Sequence, residues 1–150
     1  MASILAIEAS AEACSVALVC HGRKFSKIIS AAKSHASSVL PMVDELMAQA
    51  RAEPKMLDAI AYDCGPGAFT GLRIGLSFAQ GLALGWNKPL IPVCSLSSLA
   101  FTAFEQSAEI HKVVALLDAR MGEVYAAVFQ REGVFFSTLE VPILCAYQSV

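Results

Sequence analysis

Residues 70–86 read TGLRIGLSFAQGLALGW, a run of helical period in which Gly71, Gly75, Ala79 and Ala83 recur at every fourth position. Ser77, Gly81 and Gly85 form a second row with the same spacing. A glycine inside a helix costs about 1 kcal/mol relative to alanine, so several in one helix call for a compensating contact. Small residues at i and i+4 lower a ridge and let a neighbouring backbone come close. That neighbour is the chain's own sheet, another of its helices, or a second protein. Any fold proposed for the chain has to supply it.

Upstream, the apolar pattern has the shorter period of strands. SILAIEA (3–9) is a short apolar run, CSVALVC (14–20) is rich in strand formers, His21-Gly22 marks a turn, and RKFSKIIS (23–30) alternates. Over 35–52 the period lengthens, with Val39, Met42, Val43, Leu46, Met47 and Ala50 on one helical face. Ser34 is the expected N-cap, and Pro41 either begins the regular helix or kinks it. LDAIAYD (57–63) reads as a buried strand, 70–86 as a helix capped by Thr70, PLIPVC (89–94) as a strand, and 95–106 as a third helix. The order βββαβαβα describes an α/β lobe, a mixed sheet with helices on its faces. The pattern then restarts, with strands expected at 111–118, 123–130 and 134–140. Two βββ openings point to a structural repeat. Residues 1–108 form the first lobe, and 109–150 the truncated start of a second. That second part has no helices of its own and leaves a sheet face open to a partner.

The chain is 56% hydrophobic and 16% charged over 150 residues, enough for a core with apolar surface to spare. A net charge of −2 provides no field to hold a nucleic acid directly. The five cysteines are dispersed without a CxxC pair, which argues against a disulfide framework and a zinc site and for a reducing cytoplasm. The opening MASILAIEAS has no basic segment before its apolar run, and Glu8 interrupts that run, so neither a signal peptide nor a membrane span is expected.

GPGAFTGLRIG (65–75) suggests a phosphate cradle, but both nucleotide-loop spacings fail. No lysine stands where a Walker loop needs one, and Thr70 occupies the third glycine position of GxGxxG. Free N–H groups at a helix start still favour an anion. The candidate contacts are Gly65, Gly67, Thr70, Gly71 and Arg73. Arg73 opposes the helix dipole and meets a phosphate, a partner's carboxylate, or only solvent. Glu8 and Asp118 end equivalent strands, with Arg120 just beyond the second. They either flank a cleft between lobes that holds a hydrated cation, or cap the turns that follow them. No histidine spacing suits a metal, and no serine lies in a hydrolase elbow.

ILAIEASAEACSVAL, DAIAYDCGPGAFTGLRIG, AQGLALG and ALLDARMGEVYAAVFQ together resemble the bacterial TsaB (YeaZ) family, almost throughout residues 3–130. The resemblance implies the two-lobed, RNase H-like fold of actin, sugar kinases and Hsp70 chaperones. It also implies a non-catalytic partner that scaffolds and activates TsaD, with TsaE as accessory ATPase. TsaD transfers threonylcarbamoyl to N6 of the adenosine next to the anticodon in tRNAs reading codons that begin with A. The implied TsaD interface, shared with a homodimer, is the pair of helices carrying Val39, Met42, Val43, Leu46, Gly71, Gly75, Ser77 and Gly81. No cofactor is required of the chain itself, ATP or ADP has room at the interface with TsaD, and tRNA is reached only through the complex. TsaD-like chains carry an HxxxH metal motif just after the strand equivalent to PLIPVC. Here Ser95 and Leu99 fall in those places, so no metal is expected. The family usually has Asp where this chain has Glu8, and its members are some tens of residues longer. The alternatives are a stand-alone ATP-dependent enzyme of the same fold and a metalloprotease-like hydrolase.

Overall fold

The protein is described from a computed structural model covering residues 1–30 and 35–149. Two compact units emerge, Met1–Cys64 with Ala68–Val93, and Cys94–Val150 with Gly65–Gly67.

The first unit contains β1 (Ile4–Glu8), β2 (Cys14–Cys20), β3 (Arg23–Ile29), α1 (His35–Ala50), β4 (Ala59–Gly65), α2 (Phe69–Trp86) and β5 (Leu90–Cys94), in a sheet of order β3-β2-β1-β4-β5. β1 and β2 run antiparallel, pairing Leu5 with Leu18 and Ile7 with Val16. The β2–β3 hairpin turns on His21 and Gly22, at φ 51° and 73°, the left-handed geometry that a two-residue hairpin demands. β4 lies parallel to β1, with Ile60 beside Leu5. Asp58 fixes that register from both sides. Its carboxylate accepts from the Ser3 N–H at 2.7 Å, and its own N–H donates to Ser3 O at 2.8 Å.

Alternation along β1 and β2 brings Leu5, Ile7, Cys14, Val16, Leu18 and Cys20 into one core cluster, with Val39, Met42, Val43, Leu46 and Met47 of α1 in the same cluster. α1 runs through Pro41, whose ring is exposed. The expected cap Ser34 lies outside the described residues. The start of α2 differs from expectation: Ala68 is the N-cap, without a side-chain bond, and Thr70 lies inside the first turn. The helix ends on Asn87 in the left-handed region, φ 52°, whose N–H turns back to Ala83 and Leu84 carbonyls.

The second unit holds α3 (Ser95–Gln106), β6 (Lys112–Arg120), β7 (Glu123–Glu132) and β8 (Phe135–Ala146), an antiparallel sheet of order β6-β7-β8. Here the sequence-based boundary needs correcting. The sequence pattern places residues 95–106 in a first lobe ending at 108. Instead Leu96, Ala100 and Phe104 of α3 cluster with Ala115, Ala127 and Phe129 of the second sheet, and the unit begins at Cys94. One face of that sheet therefore has a helix, contrary to the expectation of none. Val114, Leu116 and Ile143 remain exposed. β8 also runs past the expected end at 140. Glu140 pairs with Val128 and Ile143 with Ala126, so Val141 and Pro142 form a bulge opposite one residue. A bulge accommodates a proline that has no N–H to give.

Candidate functional site

α1 and α2 carry the residues expected at a partner surface, and the structure divides them. Val39, Met42, Val43 and Leu46 are all buried in the core of the first unit. Their apolar stripe is used by the chain's own sheet, which corrects the expectation that their side chains meet a partner. The first small row of α2 also faces inward, with Gly71, Gly75, Ala79 and Ala83 all buried. A Cβ at Gly71 would lie 1.9 Å from the Ala9 carbonyl oxygen, whereas one at Gly75 would meet only the Ala9 side chain at 3.8 Å. The close approach announced by the sequence is that of α2 to the end of β1.

The second row is different. Ser77, Gly81 and Gly85 are exposed, and a Cβ at either glycine would meet nothing within 4 Å. Beside them stand two large apolar side chains, Phe69 at 66% exposure and Leu84 at 86%. The Arg73 guanidinium carbon lies 3.8 Å from the Phe69 ring centroid, a stacked cation–π arrangement. Phe69, Thr70, Arg73, Ile74, Ser77 and Phe78, with Ala36 of α1, line a shallow groove of about 390 Å³. α1 adds the exposed Leu40 and Asp44, while Glu45 is paired to Lys27. Of the expected interface, Ser77 and Gly81 are on this outward face; Phe69, Arg73 and Leu84 complete it. An exposed phenylalanine four residues before an arginine on a helix was the signal available in the sequence.

Of the anion candidates, Gly65 and Gly71 are buried, and Gly67, Thr70 and Arg73 are exposed. Gly71 is filled by Ala9, and the Ala68 N–H at the helix start already donates to Ser10 O at 2.9 Å. Gly65 ends β4 at φ 94°, a conformation natural to glycine. Gly67 groups with the second unit.

Glu8 and Asp118 are each engaged locally. Glu8 Oε1 accepts from the Ser10 N–H at 2.5 Å, the Ser10 hydroxyl at 2.8 Å and the Ala11 N–H at 3.2 Å. The Ser10 hydroxyl also bonds Asp63. Asp118 Oδ1 accepts from the Arg120 N–H at 2.8 Å and the Tyr147 hydroxyl at 3.1 Å. That hydrogen bond to Asp118 is the main cause pushing the Tyr147 phenol up. Arg120 itself sits at φ 67° in the β6–β7 turn. Both carboxylates cap the turns that follow them. The chemistry of the implied TsaD-type metal also fails to fit, since Leu99 has no donor atom. Among the described residues no three His, Cys, Asp or Glu side chains converge, and no helix is long and apolar enough to cross a membrane.

The cysteines offer a direct check on this geometry. Cys14 and Cys20 are buried and Cys64 is exposed. Burial, and then the charge of Glu8, push the Cys14 thiol up, so less thiolate is available there. Iodoacetamide on the folded protein is expected to label Cys64 rapidly and Cys14 and Cys20 only after denaturation. Peptide mass spectrometry would read the order, and early labelling of Cys14 would contradict the core described above.

A family model described as TsaD, tRNA N6-adenosine threonylcarbamoyltransferase, matches residues 29–141. The tRNA threonylcarbamoyladenosine biosynthesis protein TsaB of Haemophilus influenzae is 42% identical over 145 residues, spanning 93% of this chain and 61% of that protein. The protein of the same name in Escherichia coli is 43% identical over 129 residues, spanning 86% and 55%. A crystal structure of an uncharacterized protein with similarity to peptidase YeaZ, from Pseudomonas aeruginosa, superposes with a TM-score of 0.93 at 37% identity, over 100% of this chain and 69% of that one. The fold is therefore the mixed α/β, actin-like one that the TsaB (YeaZ) resemblance implies. The chain spans 55 to 61% of the length of these curated relatives.

Proposed function

The chain belongs to the TsaB (YeaZ) family, and on that premise we propose that it is a non-catalytic subunit in tRNA threonylcarbamoyladenosine biosynthesis, docking a TsaD-type transferase through the outward face of α2. The observation that carries the reading is the split of α2 into two small rows. The inward row is explained by Ala9 and the sheet. The outward row, Ser77, Gly81 and Gly85, has no such explanation among the described residues and lies flush beside exposed Phe69 and Leu84. A low ridge flanked by large apolar side chains suits a helix packed at short distance. Ser95 and Leu99 in place of metal histidines favour a scaffold over a catalyst, and over a metalloprotease-like hydrolase. The net charge of −2 favours a subunit that reaches tRNA through the complex, and the dispersed cysteines favour a reducing cytoplasm. TsaE completes the set in this reading, and any ATP or ADP would bind at the joint interface with TsaD.

Gly81→Leu tests this directly. The new side chain enters open space, so the fold is expected to keep its melting temperature within a few degrees. Co-purification with the TsaD-type subunit is expected to fall below detection, because a side chain raised at the centre of a close helix contact forces the helices apart. Retained co-purification at wild-type yield would reject the α2 docking face. Gly75, which the sequence offered as an equal target, is buried and would report on folding instead.

A further inference from the structure

We propose that the stacked Phe69–Arg73 pair selects the partner at this surface, by receiving a carboxylate from a helix of a different protein in preference to a second copy of this chain. The inference rests on the docking reading above and gives it a chemistry. Phe69 leaves a large apolar ring in solvent, and the Arg73 guanidinium carbon lies over it at 3.8 Å from its centroid. Arg73 stands near the start of α2 (Phe69–Trp86), where the helix dipole disfavours a cation, and among the described residues no carboxylate pairs with it. Stacking holds the guanidinium in place while its in-plane N–H fork stays available, the geometry that matches a carboxylate with two parallel hydrogen bonds. Less side-chain freedom is then lost when the pair forms.

A second copy is poorly equipped to provide that carboxylate. Residues 69–86 contain no Asp or Glu. An antiparallel crossing of two α2 helices about Ser77 sets Arg73 opposite Gly81, and a crossing about Arg73 sets two cations together. On α1, Glu45 is already paired with Lys27, which leaves Asp44 as the exposed acid of that helix. An acidic side chain on the partner's docking helix would both satisfy Arg73 and cover Phe69. A self-association that buries the same face would leave the guanidinium partly desolvated and unpaired, at a cost.

Titration calorimetry of the intact chain with the TsaD-type subunit, and sedimentation of the chain alone, separate the outcomes. Arg73→Glu is expected to weaken the heterologous complex by about tenfold or more while self-association is not weakened, since the variant removes an unpaired cation from that contact. Arg73→Lys keeps the charge without the fork and should fall between. Affinity should decline with added salt more steeply for the wild type than for Arg73→Glu. If Arg73→Glu binds like wild type while Gly81→Leu still blocks docking, the docking face stands and the selection by Arg73 is rejected. If Arg73→Glu and Asp44→Asn each abolish self-association, the carboxylate belongs to a second copy and the proposal is overturned. If neither Arg73→Glu nor Gly81→Leu alters binding, the docking reading falls with it.

Discussion

Gly71→Val is expected to leave no stably folded first unit. Even the Cβ it introduces would lie 1.9 Å from the Ala9 carbonyl oxygen, 2.8 Å from its carbon and 3.0 Å from the Ser10 Cα. All three are backbone atoms, so no rotamer change relieves the overlap. The segment cannot simply withdraw either. Ser10 O accepts from the Ala68 N–H, and the Ser10 and Ala11 N–H groups are held by Glu8. Moving α2 outward would instead open the core around buried Ala79 and Ala83. Ordinary overpacking costs about 1–3 kcal/mol, and backbone overlap with two branched methyls added should exceed it, against a total stability of roughly 5–15 kcal/mol. Circular dichroism during thermal or urea denaturation would measure this. A melting temperature close to wild type would mean that α2 lies farther from β1 than described. The two outward glycines of the helix should behave in the opposite sense. Gly81→Ala and Gly85→Ala add a methyl to open space and should each stabilise by up to about 1 kcal/mol through helix propensity.

That contrast marks where the sequence was readable. The fourfold spacing correctly demanded a close neighbour, but two rows of identical spacing have opposite destinations. One packs on Ala9 and the other faces solvent, a difference set by how α2 rotates on the sheet. Within 70–86 the signal for that rotation is the placement of Thr70, Arg73, Ser77 and Gln80, all on the exposed side, and spacing of the small residues alone does not carry it. The strands of the first unit were legible because Leu5, Ile7, Val16 and Leu18 alternate and the His21-Gly22 turn is explicit. The apolar stripe of α1 was equally plain, but its period does not say whether core or partner covers it. The unit to which α3 belongs is hidden in the sequence for a related reason. Leu96, Ala100 and Phe104 define a buried face without naming the sheet, and adjacency to β5 in the chain favoured the nearer one. Thr70 looked like a cap because threonine caps helices often, whereas the helix begins at Phe69 and its first turn is set by the Ala68–Ser10 bond. Glu8 and Asp118 stand at strand ends in the sequence, and the turns they cap show only in their hydrogen bonds.

Arg131→Met is expected to loosen α3 from its sheet and destabilise the second unit by about 3 kcal/mol. In the sequence Arg131-Glu132-Gly133 is an ordinary turn, and nothing singles out the arginine. In the structure its Nε donates to Ile110 O at 2.9 Å, and its Nη2 donates to Ser107 O at 3.0 Å and to Phe104 O. Its own N–H meets His111 O at 2.9 Å, and its guanidinium carbon lies 4.9 Å from the Phe104 ring centroid. These carbonyls lie at and just beyond the end of α3, whose C-cap is Ser107. Helix-terminal carbonyls have no partner within the helix, and a cation there also suits the dipole. One side chain from β7 thus closes the end of the helix and ties it to the strand beneath. Methionine keeps the apolar stem over Phe104 but leaves the carbonyls unsatisfied, so the loss reports the hydrogen bonds and not the packing. Amide hydrogen exchange should show faster exchange along α3 and unchanged exchange in α1. Arg131→Lys separates charge from geometry. A lysine ammonium retains the dipole interaction but cannot reproduce the fork, so it should recover less than half of the loss. Full recovery by lysine would assign the effect to charge alone. Unchanged exchange in Arg131→Met would mean that Leu96, Ala100 and Phe104 hold α3 without help from its terminus.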